Sequence, residues 1–137
     1  MSAKELQIIT VEDNSVISLL VTEYLSALVG QPCNIISFNN GRAFLEGFDN
    51  ENLPDVVILD VYLPEMTGIE VRQEIIEKGM PPSRVFLIST DHGNVENGLV
   101  KGDFTLEQAK NIMLKKPIDV DQITGKLNEL GIKIRKF

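Results

Sequence analysis

Short apolar runs in this chain are closely followed by residues that can do chemistry. In chain order these residues are Glu12 and Asp13, then Asp60, then Ser89 and Thr90, and finally Lys116. The runs are predicted strands, and in an open sheet of parallel strands the ligand site lies beyond the carboxyl ends. We therefore expect three acids, a hydroxyl and a cation to converge in one crevice.

The chemistry that such a set favours is phosphoryl transfer. Three carboxylates in one crevice repel each other unless a cation lies among them, and Mg²⁺ is a hard ion that prefers oxygen ligands. The charges of three carboxylates, one divalent ion and Lys116 sum to zero, so an arriving phosphoryl group meets no net repulsion. A carboxylate can also attack phosphorus and form an acyl phosphate. The set therefore predicts a phosphate site that contains Mg²⁺.

Each of these residues alone has a common structural role. A Glu-Asp pair after a strand is usually a solvated loop or a helix N-cap, and Asp60 after a core strand is by default a cap or an ion pair. Ser89 or Thr90 alone is most often a turn residue. Lys116 before Pro117 is usually a surface lysine. Only their joint placement indicates a functional site.

Strand-like runs alternate with helical patterns along the chain. The predicted strands are 6–11, 34–38, 56–59, 85–88 and 112–114. Two of them, 56–59 and 85–88, are wholly apolar, which is typical of strands covered on both faces. Apolar residues at helical spacing predict helices within 16–29, 43–48, 69–76 and 120–130. The alternation predicts an α/β fold with a parallel sheet between two layers of helices.

Capping residues and glycines predict where helices begin and end. Asp119 with Gln122 predicts a capping box for the last helix, and Gly131 predicts its end. Thr105 with Gln108 can cap a new turn in the irregular stretch between the fourth and fifth strands. Three other residues are expected to interrupt any helix in that stretch: Gly93, Gly98 and Gly102.

The composition excludes several classes of partner. A net charge of −7, from 20 acidic and 13 basic residues, argues against nucleic-acid phosphates and anionic membrane surfaces. The apolar runs are far too short for membrane insertion, and the N-terminus lacks a hydrophobic signal core. A single cysteine, Cys33, excludes an intramolecular disulfide. We expect one cytoplasmic domain.

The sequence resembles the receiver domain of bacterial two-component response regulators. The residues that carry the resemblance are Glu12-Asp13, the pattern Asp60-x-x-x-Pro64-x-x-x-Gly68, Ser89 and Lys116-Pro117. The resemblance extends over residues 4–130, nearly the whole chain. It implies a flavodoxin-like (βα)5 three-layer sandwich whose five parallel strands have the order 2-1-3-4-5.

The resemblance also implies a phosphoacceptor site. Asp60 would take a phosphoryl group from a histidine of a sensor histidine kinase or a histidine phosphotransfer protein. Ser89 would hydrogen-bond one phosphoryl oxygen, and Lys116 would pair with another. The added charge would change the shape of the domain and its binding to an unidentified downstream protein. Mg²⁺ would be held by four groups: Glu12, Asp13, Asp60 and the backbone carbonyl of Tyr62.

The chain departs from the family pattern at four places. Glu12 stands where aspartate is more usual. Thr90 stands where Ala or Gly is usual, and it rivals Ser89 as the switch hydroxyl. Met113 stands three residues before Lys116, where many members have Tyr or Phe, so a thioether takes the place of an aromatic switch. The segment between Ser89 and Lys116 is longer than usual, with an extra turn expected at 102–105. This insertion indicates either a tolerated surface change or a private partner or altered dimer.

Three other functions can be compared by the residues that each one requires. A degenerate receiver, which acts as a phosphorylation-independent interaction module, is favoured by the irregular fourth segment and opposed by the complete site. A haloacid-dehalogenase-like phosphatase needs an acid where Tyr62 stands. A flavodoxin needs a phosphate loop where Glu12 and Asp13 would repel phosphate.

The organisation expected from the sequence is a single receiver domain at 4–130 with a short basic tail at 131–137. No output domain is expected, so the output would act through another protein. A signalling module is expected rather than an enzyme that turns over an external substrate, and a homodimer is left open.

Overall fold

Five parallel strands form one sheet in the computed structural model, which describes residues 5–102 and 104–135. The strands are β1 (Leu6–Val11), β2 (Cys33–Phe38), β3 (Val56–Asp60), β4 (Val85–Ser89) and β5 (Met113–Lys115). Their spatial order is β2-β1-β3-β4-β5, with parallel pairing throughout. This flavodoxin-like order confirms the predicted fold class and places its switch point between β1 and β3.

Helices cover both faces of the sheet. One face carries α1 (Ser15–Leu28) and α6 (Val120–Glu129), and the other carries α2 (Gly41–Gly47), α3 (Gly68–Glu77), α4 (His92–Lys101) and α5 (Leu106–Ile112). All residues of β3 and β4 are buried, as expected for strands covered on both sides. None of these helices has the length and apolar character needed to cross a bilayer.

Helix α4 corrects the expectation that glycines interrupt this part of the chain. It runs through Gly93 and Gly98 and ends at Gly102. Val95 and Leu99 lie one turn apart and are both buried in the core. Burial of this apolar pair outweighs the helix propensity lost at two exposed glycines.

The lengthened segment before β5 contains one helix more than the expected (βα)5 pattern. Thr105 caps α5, because its Oγ1 accepts the Gln108 N–H at 3.0 Å while Gln108 Oε1 accepts the Thr105 N–H at 2.9 Å. This confirms the predicted cap. Ala109 and Ile112 of α5 are buried in the same core as α4. The insertion is therefore a packed helix and not only an extra turn.

The predicted capping box of α6 is wrong in its second half. Asp119 Oδ1 accepts the Gln122 N–H at 3.1 Å, as predicted. The Gln122 side chain instead bonds β5, where Oε1 accepts the Lys115 N–H at 2.8 Å and Nε2 donates to the Met113 carbonyl at 3.2 Å. Both backbone groups lie on the side of β5 away from β4. The amide therefore covers a short edge strand.

The residues that follow α6 pack back onto α1. Ile132 is buried in the core, and the Arg135 N–H donates to the Leu28 carbonyl at 2.8 Å. Arg135 Nε donates to the Val29 carbonyl at 3.0 Å. Most of the predicted tail is therefore hydrogen-bonded to the domain. The predicted domain start at residue 4, residue 103 of the insertion, and residues 136 and 137 of the tail lie outside the described residues.

Candidate functional site

Asp60 is the last residue of β3 and lies at the carboxyl edge of the sheet, 3% exposed. The chain turns directly after it, since the Val61 N–H donates to the Ile88 carbonyl at 3.2 Å and the Tyr62 N–H donates to Asp60 Oδ1 at 3.1 Å. Gly68 packs on this turn, where a Cβ at residue 68 would collide with the Asp60 carbonyl oxygen. The glycine of the sequence pattern therefore allows the loop to fold back onto Asp60.

Glu12 and Asp13 come from the loop that follows β1, the neighbour of β3. Glu12 is 5% exposed and its Oε1 accepts the Asn14 N–H at 3.1 Å, whereas Asp13 is exposed. Asn14 is also the N-cap of α1, so the helix start fixes this loop. One carboxylate oxygen from each of Glu12, Asp13 and Asp60 lies within 4.8 Å of the others. The structure brings the three acids together.

Lys116 follows β5 and reaches back across the crevice. Its Nζ lies 2.9 Å from Glu12 Oε2 and 2.9 Å from Asp60 Oδ2. Its backbone N–H donates to the Ser89 carbonyl at 3.1 Å, and the peptide bond to Pro117 is cis. One ammonium group therefore serves two buried carboxylates.

The electrostatics of the crevice show the cost of burying these acids together. Burial, followed by the neighbouring Asp60 carboxyl, raises the pKa of Glu12 from 4.5 to about 7. Burial lowers the pKa of Lys116, but its hydrogen bonds to Asp60 and Glu12 outweigh this effect and bring the pKa above its ordinary value. Lys116 therefore stays charged at neutral pH, where Glu12 is close to its own titration midpoint.

Ser89 and Thr90 occupy different places at the end of β4. Ser89 is 1% exposed and its Oγ accepts the Asp91 N–H at 3.0 Å. Among the hydrogen bonds of the described residues this Oγ is only an acceptor, so its own proton is available to a further oxygen. Thr90 is exposed. Both residues line the depression that also contains Asp60 and Lys116.

Met113 lies in the core at the start of β5, three residues before Lys116. The apolar cluster that holds it also contains Leu99 of α4 and Ile112 of α5. The thioether therefore fills core volume shared with the two helices of the lengthened segment.

The match to a known family agrees with this crevice. The family model of the response regulator receiver domain matches residues 8–128. The chain belongs to this family. All the residues of the crevice fall inside the matched range, which begins in β1 and ends in α6.

Relatives of this receiver are longer proteins. The luminescence regulatory protein LuxO of Vibrio campbellii is 29% identical over 127 residues, which are 93% of the receiver and 26% of LuxO. A cyclic di-GMP phosphodiesterase of Thermotoga maritima is 32% identical over 120 residues, which are 88% of the receiver and 29% of that enzyme. The receiver thus spans about a quarter of the length of these relatives.

Solved structures share the fold of the receiver. A putative response regulator from Chloroflexus aurantiacus superposes with a TM-score of 0.70 at 18% identity and covers 93% of the receiver and 98% of that chain. A response regulator receiver domain from Clostridium thermocellum has a TM-score of 0.62 at 21% identity and covers 91% and 93%. At these identities the likeness supports the fold.

The donor set of the receiver fits a divalent cation such as Mg²⁺. Its three acids offer oxygen ligands of the hard type that Mg²⁺ prefers, and two of them are already bridged by a cation, the Lys116 ammonium. The remaining charge of the set is negative, so a divalent ion would neutralise it. The Tyr62 backbone belongs to the turn beside the acids, where it donates to Asp60.

Sequence reasoning missed the Asp91 side chain beside the site. The Tyr62 hydroxyl donates to Asp91 Oδ2 at 3.3 Å, and Asn94 Nδ2 donates to Asp91 Oδ1 at 2.9 Å. Both carboxylate oxygens of Asp91 are thus engaged, and Asp91 is not part of the acidic cluster. The available hint was its position two residues after Ser89, where short polar residues often bond nearby backbone.

Proposed function

We propose that this receiver is a phosphoacceptor in phosphorelay signalling. Asp60 takes a phosphoryl group from a phosphohistidine of a sensor histidine kinase or a histidine phosphotransfer protein. The observation that carries the proposal is the convergence of two further carboxylates and one lysine on Asp60, whose Oδ2 lies 2.9 Å from the Lys116 ammonium. Such a set can position a phosphoryl group and neutralise its charge, which is most of what phosphoryl transfer requires.

Each residue of the crevice has a separate part in this proposal. Glu12, Asp13 and Asp60 would hold Mg²⁺, with the Tyr62 carbonyl as a further ligand. When bound, Mg²⁺ neutralises the acids and the phosphoryl oxygens. An Asp60 carboxylate oxygen forms the bond to phosphorus while the histidine nitrogen of the phosphodonor leaves.

Lys116 and the switch hydroxyl respond to the product. The Lys116 ammonium moves from a carboxylate to a phosphoryl oxygen, since the phosphoryl group brings about −1.5 to −2 charges. Ser89 Oγ still accepts the Asp91 N–H, and its own O–H donates a hydrogen bond to a second phosphoryl oxygen. Thr90, which is exposed beside the crevice, is the alternative donor of this hydrogen bond. Movement at Ser89 would pass into α4, which begins three residues later.

The decisive experiment is phosphorylation by a small phosphodonor. The protein is incubated with Mg²⁺ and acetyl phosphate and its intact mass is measured. We expect one labile phosphate adduct in the unchanged protein and in the control Asp49→Asn, and none in Asp60→Asn. If neither acetyl phosphate nor a phosphohistidine protein gives an adduct, the protein acts instead as a phosphorylation-independent interaction module.

The exposed face of α1 supports a protein as the natural phosphodonor. Four large apolar side chains form a stripe along this helix, Val16, Leu19, Leu20 and Tyr24, and they are 65%, 60%, 50% and 41% exposed. The helix starts beside the acids, because its N-cap Asn14 also bonds Glu12. An apolar stripe next to a reactive carboxylate suits the face of a helix that presents a histidine.

A charge placed in this stripe separates the two kinds of phosphodonor. Leu19→Glu should slow transfer from a phosphohistidine protein about tenfold or more, since an interface anchor is lost. It should leave phosphorylation by acetyl phosphate unchanged. Leu106→Glu, at a half-exposed position of α5, is the matched control and should alter neither rate. Equal slowing with both phosphodonors would show that α1 acts on the chemistry and not on docking.

The wider role follows from the same proposal. The receiver at 4–130 works as a signalling module in the cytoplasm, and its product is a changed surface rather than a released metabolite. That surface binds a downstream protein or a second copy of the receiver. Size-exclusion chromatography with and without beryllofluoride and Mg²⁺ tests whether the receiver binds a second copy of itself. If it does, adding beryllofluoride and Mg²⁺ should shift the elution volume to that of a dimer.

A further inference from the structure

An open cavity of about 480 Å³ lies between α3 and the lengthened segment that precedes β5. Its lining is mostly apolar and includes Arg72, Ile76, Ser83, Phe104, Asn111 and Ile112. We call it the Arg72 cavity. Cavities of this volume, with an apolar lining and a few polar groups, are typical of small-molecule sites. Among the described residues, this lining is separate from that of the depression around Asp60.

Helix α5 supplies one wall of the Arg72 cavity. Gln108, Asn111 and Ile112 come from this helix, and Phe104 comes from the residues that lead into it. In this receiver α5 is the helix that is additional to the (βα)5 pattern. The inserted residues therefore do more than lengthen a loop, because they enclose a concave space beside α3.

Arg72 is held in a fixed orientation at this cavity. It is 7% exposed, its Nε donates to the Val85 carbonyl at 3.2 Å, and its Nη2 donates to the Pro82 carbonyl at 3.0 Å. The centroid of the Phe104 ring lies 5.8 Å from Arg72 Cζ and covers one face of the guanidinium group. The two hydrogen bonds join α3 to the start of β4, so the guanidinium group is fixed before any ligand arrives.

The charge of Arg72 has no counter-ion in the part of the chain that the structure describes, since no carboxylate oxygen there lies within 4.0 Å of it. Two carbonyl oxygens satisfy two of the five N–H groups of the guanidinium, but they do not neutralise its charge. Buried side-chain nitrogens of the described residues all have partners, so Nη1, which makes no hydrogen bond there, is accessible from the space that Arg72 lines. Burial also lowers the pKa of Arg72 from its ordinary value. A buried cation with free donors favours an anionic ligand.

We propose that the Arg72 cavity binds a small organic carboxylate. The carboxylate accepts hydrogen bonds from the guanidinium N–H groups that the protein leaves free, in the planar geometry that arginine offers. The apolar body of the ligand packs against Ile76, Phe104 and Ile112, and Ser83 and Asn111 are available to its polar substituents. This site is additional to the phosphoacceptor site and does not depend on it.

A small molecule suits this site better than the acidic side chain of a partner protein. Among the described residues, none of the large apolar side chains that are exposed lines the Arg72 cavity. A protein interface needs such side chains around its central contact. The apolar surface here lies inside the concavity, where a ligand of small size can cover it.

Phenylacetate is the probe, and phenylacetamide is its neutral control of the same shape. Each is titrated into the ¹⁵N-labelled protein while the amide resonances are followed by NMR. We expect saturable shifts at Ser83 and Phe104 with a Kd of about 1 mM or tighter for phenylacetate. Phenylacetamide should bind at least about tenfold more weakly, because it carries no charge for Arg72. Absence of saturation by about 10 mM phenylacetate, or equal affinity for the two compounds, overturns the proposal.

A charge reversal beside the cavity tests the electrostatics without touching Arg72. Asn111 is exposed in the last turn of α5, and Asn128 is exposed at the matching place in α6, away from the cavity. Asn111→Asp should weaken phenylacetate binding about threefold and Asn111→Lys should strengthen it about threefold. Asn128→Asp and Asn128→Lys are the matched controls and should change neither affinity. Equal effects at the two positions, or none at Asn111, would show that the guanidinium does not hold the carboxylate.

Removal of the guanidinium is the direct test. Arg72→Met should lower phenylacetate affinity at least about tenfold. It also breaks the bonds to two carbonyls, so the dispersion of its amide resonances is checked first, and the Asn111 series decides if this variant does not fold. Unchanged affinity in folded Arg72→Met overturns the proposal.

Two further outcomes separate this site from its alternatives. Asp103 lies outside the described residues, so Asp103→Asn is titrated in parallel. Binding of phenylacetate to that variant and not to the unchanged protein would show that an acid of the chain occupies the site, and the proposal would be wrong. The acetyl phosphate adduct at Asp60 is measured on the same samples, since loss of the Arg72 site leaves the phosphoacceptor function standing.

Discussion

Gly68 lies so close to Asp60 that a Cβ at residue 68 would overlap the Asp60 carbonyl oxygen. The Gly68 N–H donates to the Val61 carbonyl at 2.9 Å, so the loop after β3 closes directly onto the end of that strand. This contact places Tyr62 and Asp60 in one tight turn. The glycine is thus part of the geometry of the acidic cluster and not only a helix start.

Gly68→Ala should therefore disturb both stability and the site. We expect a loss of about 1 to 3 kcal/mol in the free energy of unfolding, because the colliding atoms are backbone and must shift. Mg²⁺ affinity should fall with it. Denaturant titration and a Mg²⁺ titration measure the two effects. Gly47→Ala, where no atom lies within 4 Å of a new Cβ, should leave both unchanged.

Lys116→Met should destabilise the metal-free protein strongly. It removes the ammonium that lies 2.9 Å from both Glu12 and Asp60, and breaking a buried ion pair costs about 3 to 5 kcal/mol. Added Mg²⁺ should restore part of this loss, because it binds the folded acids and not the unfolded chain. Lys115→Met, at the exposed neighbour, is the control and should change the free energy by less than about 0.5 kcal/mol. A similar effect of both substitutions would contradict the role of the ion pair.

The stability of the metal-free protein should fall as the pH rises from about 4.5 to about 7. Burial and Asp60 raise the pKa of folded Glu12 from 4.5 to about 7, so in this window the folded state binds a proton that the unfolded state has lost. The stabilisation is complete below pH 4.5 and is lost as the pH passes the folded pKa. A shift of this size corresponds to about 3 kcal/mol.

Glu12→Gln isolates this contribution, since an amide does not titrate. Denaturant unfolding of the metal-free protein at several pH values should show a flatter profile for Glu12→Gln than for the unchanged protein. The control is Glu23→Gln, at an exposed acid of α1, which should keep the original slope. An unaltered slope in Glu12→Gln would assign the pH dependence to another group.

Gln122→Met should loosen β5 without disrupting α6. The substitution keeps side-chain length and helix propensity but removes the acceptor for the Lys115 N–H and the donor to the Met113 carbonyl. We expect a loss of about 1 kcal/mol and faster amide exchange at Lys115. Gln73→Met, at an exposed position of α3, should show neither effect. Unchanged protection at Lys115 would show that Gln122 does not stabilise the strand edge.

Local pattern was sufficient for most of the fold. The runs 56–59 and 85–88 are wholly apolar, which is typical of parallel strands covered by helices on both faces. Their burial could therefore be predicted from the residue types alone. Thr105 with Gln108 predicted a real cap because both partners lie in one turn. The prediction failed at Gln122, whose spacing from Asp119 is that of a capping box. Its side-chain amide instead bonds the backbone of β5. A pattern of neighbouring residues cannot predict this contact, because it joins two different elements.

The glycines of α4 show a second limit. Gly93 and Gly98 lower the helix propensity of the segment, and this low propensity predicted that the helix would be interrupted. The burial of Val95 and Leu99 reversed the outcome, because packing against the sheet and α5 contributes more than two glycines cost. Propensity is a property of the segment, whereas burial depends on everything around it.

The sequence by itself determined which residues meet at the site, since parallel strands end at one edge. The five residues at or just after strand ends are Glu12, Asp13, Asp60, Ser89 and Lys116. Only the tertiary structure decided how they are arranged: which acids share the ammonium, which hydroxyl is buried, and that Tyr62 reaches Asp91 across the mouth. Strand ends follow from hydrophobic periodicity, which is local. Side-chain partners depend on distances of a few ångströms between loops far apart in the chain, and those distances exist only once the sheet has formed.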